Sequence, residues 1–397
     1  MMWAQDVVVV GGCGHVGLPL ALALADRGAR VTAYDHDARA VAGVLAGRMP
    51  FLEHGAEPVL ARVLAARRLT ATTDPAAVAA AEHVVVVVGT PIDEHLNPET
   101  MALPHAIEAL APHLRAGQLL ILRSTVYPGV TRLVERRLEE LGLALDLAFC
   151  PERIAEGRAL AELCSLPQIV ASRTATGRER AARLFRQLTS TIVELEPEEA
   201  ELAKLFTNTW RYVKFATANQ LYMIANDFGL DYERIRRAAA SDYPRAADLP
   251  GAGFTAGPCL LKDTMQLAAF NNNQFALGQA SMLVNEGLPL YLVARLERRF
   301  ELSRLTVGIL GMAFKAESDD TRASLSYKLR RILAFKARSV VCTDPHVSTD
   351  PSLLPLETVL ARADLLVIGA PHAAYRGLRT ERPVVDVTDL LGRGVLV

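Results

Sequence analysis

The chain has 397 residues, 51% hydrophobic and 22% charged, with a formal net charge of -1. That balance fits a soluble globular protein of two or three domains and excludes a basic field for nucleic acid. Five cysteines (Cys13, Cys150, Cys164, Cys259, Cys342) lie scattered without C-x-x-C spacing, so neither a disulfide framework nor a metal site is expected, and a reducing cytoplasm fits.

The N-terminal "MMWAQDVVVV" has no basic region and turns straight into a strand, while the most apolar run, "AVAAAEHVVVVVG", is interrupted by Glu82 and His83. No export signal or membrane span is predicted. The stretch "DVVVVGGCGHVGLPLALALADRGARVTAYDHD" reads as buried strand, glycine turn, apolar helix and a second strand ending on Asp35. Gly12, Gly14 and Gly17 form G-x-G-x-x-G between strand and helix, where backbone N–H groups and the positive helix end can hold a pyrophosphate. Asp35, placed to accept hydrogen bonds from a ribose diol and to repel a 2′-phosphate, selects NAD over NADP. A third strand, "EHVVVVVGTPID", ends on Gly89.

Ser124 and Thr125 follow the strand "LLIL", and "FCPERIAEGRAL" puts Glu152 and Glu156 four apart after a proline. Strand ends are where open α/β sheets present ligands, although the glutamates alone would also suit a helix N-terminal turn. From Pro197 to Arg299 the β-rich runs give way to 3.6-periodic stretches, which predict a long helix covering its own lobes or supplying a dimer face. On it, Lys204 and Asn208 share a face one turn apart, a cation and an amide able to stabilise an oxyanion or simply to be solvated.

The Gly/Pro-rich "YPRAADLPGAGFTAGPC" predicts a long irregular loop, and "LLKDTMQLAAF" a helix after it. Cys259 then stands at a helix N-terminus near Lys262, two reasons for a lowered thiol pKa, with Asp263 one turn on to take a proton or hold a water. A small buried filler is the competing reading for that cysteine. Near the C-terminus "LTVGILGMAFK", "SVVCTDPH" and "DLLVIGAPH" repeat the earlier beats, with Gly311, Asp344 and Gly369 where Gly12, Asp35 and Gly89 stood. Phe314 and Lys315 replace the third glycine, so this lobe is expected to bind something other than NAD, or nothing. The expected class is α/β: two doubly wound, Rossmann-like parallel-sheet domains, 1–196 and 301–397, joined by a long-helix central domain, 197–300.

In this order "GGCGHVGLPLA", "VGTPID", "STVYPG", "CPERIAEG", "ELAKLFTNTWR", "GPCLLKD" and "GMAFKAESDDTRAS" resemble the nucleotide-sugar 6-dehydrogenases, the family of UDP-glucose and UDP-N-acetylhexosamine dehydrogenases. The resemblance covers essentially the whole chain. It implies an NAD lobe, a helical dimerisation core and a UDP-binding lobe, and a four-electron oxidation of a UDP-sugar to a UDP-uronic acid by a homodimer. By position it implies Cys259 as covalent nucleophile, Lys204 as oxyanion cation beside Asn208, Asp263 and Thr125 as holders of a water, and Glu152 and Glu156 in acid/base and hydrolytic steps. To the cofactor it assigns His15 and Val16 in the turn, Thr90, Pro91, Ser124, Thr125 and Lys262, and to the sugar nucleotide Glu152, Arg153, Lys204, Asn208, Arg245, Gly253, Lys315 and Arg322.

Arg153 after Pro-Glu and the later "LPQIV" look like the N-acetylhexosamine branch, whereas Lys262 before the aspartate is often lacking there. A UDP-N-acetylhexosamine is the expected substrate, with UDP-glucose as the alternative. Two rivals lack the cysteine chemistry: a 6-phosphogluconate or β-hydroxyacid type dehydrogenase, and a catalytically silent nucleotide-sugar-binding module.

Overall fold

Runs such as Val7–Val10 and Leu119–Leu122 carry no polar residue because both sheet faces are covered. In the computed structural model, which describes residues 3–93, 95–255 and 257–397, alternate residues of these strands enter two separate cores. Val7, Val9, Leu119 and Ile121 pack on one side; Val8, Val10, Leu120 and Leu122 pack on the other.

The first sheet is built from β1 (Gln5–Val10), β2 (Val31–Tyr34), β3 (Leu69–Thr72), β4 (Ala81–Val86), β5 (Leu119–Leu122), β6 (Asp146–Phe149), β7 (Gln168–Ala171) and β8 (Ile192–Leu195). Its order is β3-β2-β1-β4-β5-β6-β7-β8. The first six run parallel in the order of a dinucleotide-binding sheet. The expectation of a wholly parallel sheet needs one amendment. β7 meets β6 antiparallel through the single pair Phe149↔Ala171, so a parallel β7–β8 pair is appended in reverse.

The second sheet has β9 (Thr306–Leu310), β10 (Ser339–Thr343), β11 (Leu365–Ile368) and β12 (Val384–Val385), all parallel, in the order β10-β9-β11-β12. That repeats the β2-β1-β4 arrangement, as the sequence repeat predicts. The turn after β9 differs: residues 311–324 form an irregular loop, and the next helix, Leu325–Lys336, starts only after Ser324 has capped it by accepting from the Ser326 N–H.

In the chain, the 31-residue helix Pro197–Asp227 follows the first sheet and precedes the second. Glu201 in its second turn is buried and accepts from the Gly129 and Thr131 N–H groups and the Thr131 hydroxyl. Farther along, Asn219 donates to Asn285 of the helix Ala276–Arg299, whose amide donates in turn to the Tyr212 carbonyl. Compactness divides the chain between Thr207 and Asn208, inside the long helix. No helix among the described residues is long and apolar enough to cross a membrane.

Candidate active site

In the glycine turn, a Cβ on Gly12 would come within 2.6 Å of the Val9 carbonyl, and one on Gly17 within 2.1 Å of the Gly11 carbonyl. Both are glycine because the protein packs against them. A Cβ on Gly14 would meet only the Gly11 carbonyl, at 3.6 Å, so nothing in the chain requires glycine there. Its bare backbone, at the start of the helix Gly17–Asp26 whose first turn has no side-chain cap, is the room a pyrophosphate needs. Gly11, which sequence reading passed over, is bound tighter still: φ is +74° and a Cβ would lie 1.9 Å from the Val87 carbonyl. The Gly-Gly doublet was its signal.

Asp35 is buried and accepts from the Cys13 N–H at 3.0 Å and the Asp37 N–H at 3.1 Å, which fixes its carboxylate beside the turn. The set fits NAD: a donor-rich turn without side-chain bulk, and an acid at the end of β2. His15 stacks on Phe51 at 4.1 Å, and Val16 takes the N-cap. Because a 2′-phosphate would face Asp35, NAD should exceed NADP in kcat/KM by at least about tenfold, or roughly 1.4 kcal/mol. Comparable initial rates with the two cofactors would contradict this.

At the ends of β4 and β5, the Ser124 hydroxyl accepts from the Val88 N–H and donates to the Val88 carbonyl, and the Thr90 hydroxyl donates to the Thr125 carbonyl at 2.6 Å. These residues clamp the two strand ends together; Pro91 beside them is exposed. Glu152 is buried against the Arg123 guanidinium and accepts from the Arg153 and Ile154 N–H groups at 2.6 and 2.9 Å. Arg123, which sequence reading missed, also donates to the Cys150 carbonyl and to Gln168. A charge directly after the apolar "LLIL" was the clue that a buried partner exists. The loop carrying Glu152 and half-buried Glu156 is closed by Glu162, which accepts from the Ala155 N–H, and by buried Glu53, which accepts from the Gly157 N–H. Burial pushes the Glu53 carboxyl up despite those N–H donors. Arg153 donates to the Pro167 carbonyl, and burial pushes its pKa down.

In the second unit Cys259 is the N-cap of the helix Leu260–Phe270 and is exposed. First-turn N–H groups lack intrahelical partners and favour a negative charge at that end. Cys13 and Cys150 are buried with thiols pushed up to about 12, and burial takes Cys342 to about 11. Cys164 is exposed but lies in the last turn of the short helix Ala159–Ser165, the wrong end for a thiolate. Cys259 is therefore the cysteine best placed for nucleophilic work.

One turn on, Asp263 is 1% exposed and joins two predicted partners: Lys262 Nζ lies 2.9 Å from Oδ1, and the Asn208 amide donates to Oδ2 at 2.5 Å. The long helix thus reaches the cysteine helix through Asn208, and Lys204, a turn earlier on it, is buried as well. The preceding loop is set by Gly253, whose N–H donates to Asn219. Its φ of +153° and the Thr388 methyl, 3.0 Å from where a Cβ would stand, disfavour any side chain there. Gly257, at φ +102°, lies under the Phe314 ring, 2.5 Å from its would-be Cβ. The loop after β9 accordingly packs against the segment leading to Cys259. In that loop Lys315 sits over the Phe314 ring, and Arg322 is gripped by Asp320 through its backbone N–H and its guanidinium. Arg245 is exposed, its guanidinium donating to the Tyr243 hydroxyl.

Asp344, the counterpart of Asp35, is filled by its own lobe. It accepts from the Met312, Ala313, His346 and Val347 N–H groups and lies 3.1 Å from His372 Nε2. Burial pushes its pKa up, but His372 and these N–H groups outweigh that and hold it at about 2. An acid so occupied is not poised for a ribose diol, the physical reason the second glycine turn does not read as an NAD site.

Three family models cover the chain in order: the NAD-binding domain (residues 5–189), central domain (198–286) and UDP-binding domain (308–393) of the UDP-glucose/GDP-mannose dehydrogenase family. The chain belongs to this family. It is an NAD-dependent nucleotide-sugar dehydrogenase. This dehydrogenase is 29% identical to the UDP-N-acetyl-D-mannosamine dehydrogenase of Pyrococcus horikoshii, over 94% of this chain and 91% of that one. It is 30% identical to the NDP-N-acetyl-D-galactosaminuronic acid dehydrogenase of Ralstonia solanacearum, over 94% and 93%. The solved structure of a UDP-glucose dehydrogenase from Pyrobaculum islandicum superposes with a TM-score of 0.90 at 29% identity, over 97% of this chain and 94% of that one.

Proposed function

We propose that this dehydrogenase oxidises the C6 hydroxymethyl of a UDP-N-acetylhexosamine to the carboxylate, through a thioester on Cys259. One observation carries the choice of sugar: the relatives aligned over more than nine tenths of the chain act, by name, on N-acetylmannosamine and N-acetylgalactosaminuronic acid nucleotides. UDP-glucose is the second reading, favoured by the 0.90 superposition on a UDP-glucose dehydrogenase.

Oxidation of the hydroxymethyl gives an aldehyde. The Cys259 thiolate adds to its carbonyl carbon, forming a C–S bond and an oxyanion that the Lys204 ammonium and the Asn208 amide stabilise. NAD, when bound, accepts hydride. Oxidation of the thiohemiacetal carbon leaves a thioester, and water, held by Asp263 with Thr125, adds to it. Breaking the C–S bond then releases the carboxylate and returns sulfur as thiol. Glu152, whose oxygens are held by Arg123 and two N–H groups, serves the acid/base and hydrolytic steps together with Glu156.

The functional parts in this reading are 1–196 for NAD, 197–300 for the cysteine helix and self-association, and 301–397 for UDP. A homodimer is supported by Phe206, Trp210, Leu221 and Ile224, large apolar side chains exposed along the long helix. Arg245, exposed on its loop, would then reach the partner's sugar nucleotide. A reducing, cytoplasmic setting suits its exposed cysteines. The test is to incubate the enzyme and NAD with UDP-sugars of both kinds. A UDP-N-acetylhexosamine should yield two NADH and one uronic acid per molecule; turnover of UDP-glucose alone would move the assignment to the second reading, and one NADH per sugar would remove the thioester.

A further inference from the structure

His372 lies between β11 and Tyr375, wholly buried, and no step above uses it. Its Nδ1 accepts from the Glu317 N–H at 3.0 Å, so that nitrogen carries a lone pair. The neutral ring therefore has its proton on Nε2, which donates to Asp344 Oδ2 at 3.1 Å. The rings of His346 and Tyr375 pack against it in T-shaped contacts, with centroids 4.9 and 5.8 Å away. Glu317 is held from the other side as well, its Oε1 accepting from the Ala373 N–H at 2.7 Å. This matters because Glu317 has φ +52°, a left-handed conformation that costs a non-glycine residue free energy and persists only where surroundings impose it. Glu317, His346 and His372 come close enough to suggest a cation site, but the Nδ1 lone pair is already taken.

We propose that His372 is a positioning residue: as the fixed acceptor for the Glu317 N–H, it sets the course of the 311–324 loop and so the places of Lys315 and Arg322. The inference rests on the reading that those two side chains contact the UDP moiety. Phe314 of the same loop packs on Gly257, so a displaced loop would also disturb the approach to Cys259.

Two isosteres separate the ring's two bonds. His372→Asn places an amide oxygen where Nδ1 accepts; His372→Gln places an amide nitrogen where Nε2 donates and loses the acceptor. With UDP as probe and calorimetry as readout, His372→Gln should weaken binding about tenfold and His372→Asn by no more than about twofold, as expected for loss or retention of one hydrogen bond. NAD affinity should stay unchanged in both. Equal losses in the two variants, or a parallel loss of NAD affinity, would reduce His372 to a structural residue. Lys315→Ala and Arg322→Ala serve as controls. If they bind UDP normally, the reading of the loop fails and takes the inference with it; if they bind weakly while His372→Gln binds normally, only the inference fails. Long-range ¹H–¹⁵N correlation on the unsubstituted protein should show Nε2–H and a bare Nδ1 for the His372 ring, and the opposite tautomer would overturn the proposal without any variant having to fold.

Discussion

Cys259→Ala should lower net conversion of the sugar nucleotide to uronic acid by several orders of magnitude while leaving NAD and UDP binding intact. In the proposed mechanism the substitution removes the sulfur that holds the aldehyde as a thiohemiacetal, and without that adduct there is no bound species for the second oxidation. It leaves the glycine turn, Asp35, Lys262 and Asp263 in place. Because Cys259 is exposed at the helix N-terminus, little packing should be lost with it. With the unsubstituted enzyme in ¹⁸O-labelled water, label should enter the carboxylate, since in the proposed mechanism water releases the thioester. Near-normal uronate formation by Cys259→Ala would return the cysteine to the role of filler.

Lys204→Ala should lower kcat by about 10²-fold or more with a much smaller change in affinity for the UDP-sugar, because a preorganised cation acts most strongly where charge develops. Lys204 is 8% exposed, and a buried ammonium facing forming negative charge is worth far more than a solvated one. Steady-state kinetics separate the cases: collapse of binding with kcat preserved would make Lys204 an anchor for the ground-state ligand.

Much of this was legible in the chain itself, because it was local. Apolar runs covered on both faces, the glycine spacing before a helix, Asp35 at the end of β2, and Cys259 and Asp263 one turn apart all lie within short windows where periodicity and capping operate. The pairings that shape the site were not legible, because they join distant residues. Arg123 finds Glu152 and Gln168, Glu53 finds Gly157, and Asn219 finds Asn285, through contacts 29 to 104 residues apart in sequence. Each announces itself only as a polar residue in an apolar context, which says that a partner exists without saying which. The strand-end positions of Ser124 and Glu152 pointed to a ligand site and the family resemblance gave their roles, but only the fold reveals how much of their hydrogen bonding the protein already uses.

Domains are usually parted at flexible linkers, yet the division here falls between Thr207 and Asn208, within an unbroken helix. Anyone dividing the molecule to study its cofactor-binding half would end that fragment in a cut turn, with its last carbonyls unmatched and Lys204 on the fraying end. Glu201, tied to Gly129 and Thr131, would hold the stump, but Asn208 and its bond to Asp263 would go with the other piece. Mixing the two pieces should therefore not restore turnover unless they re-form the helix across the break.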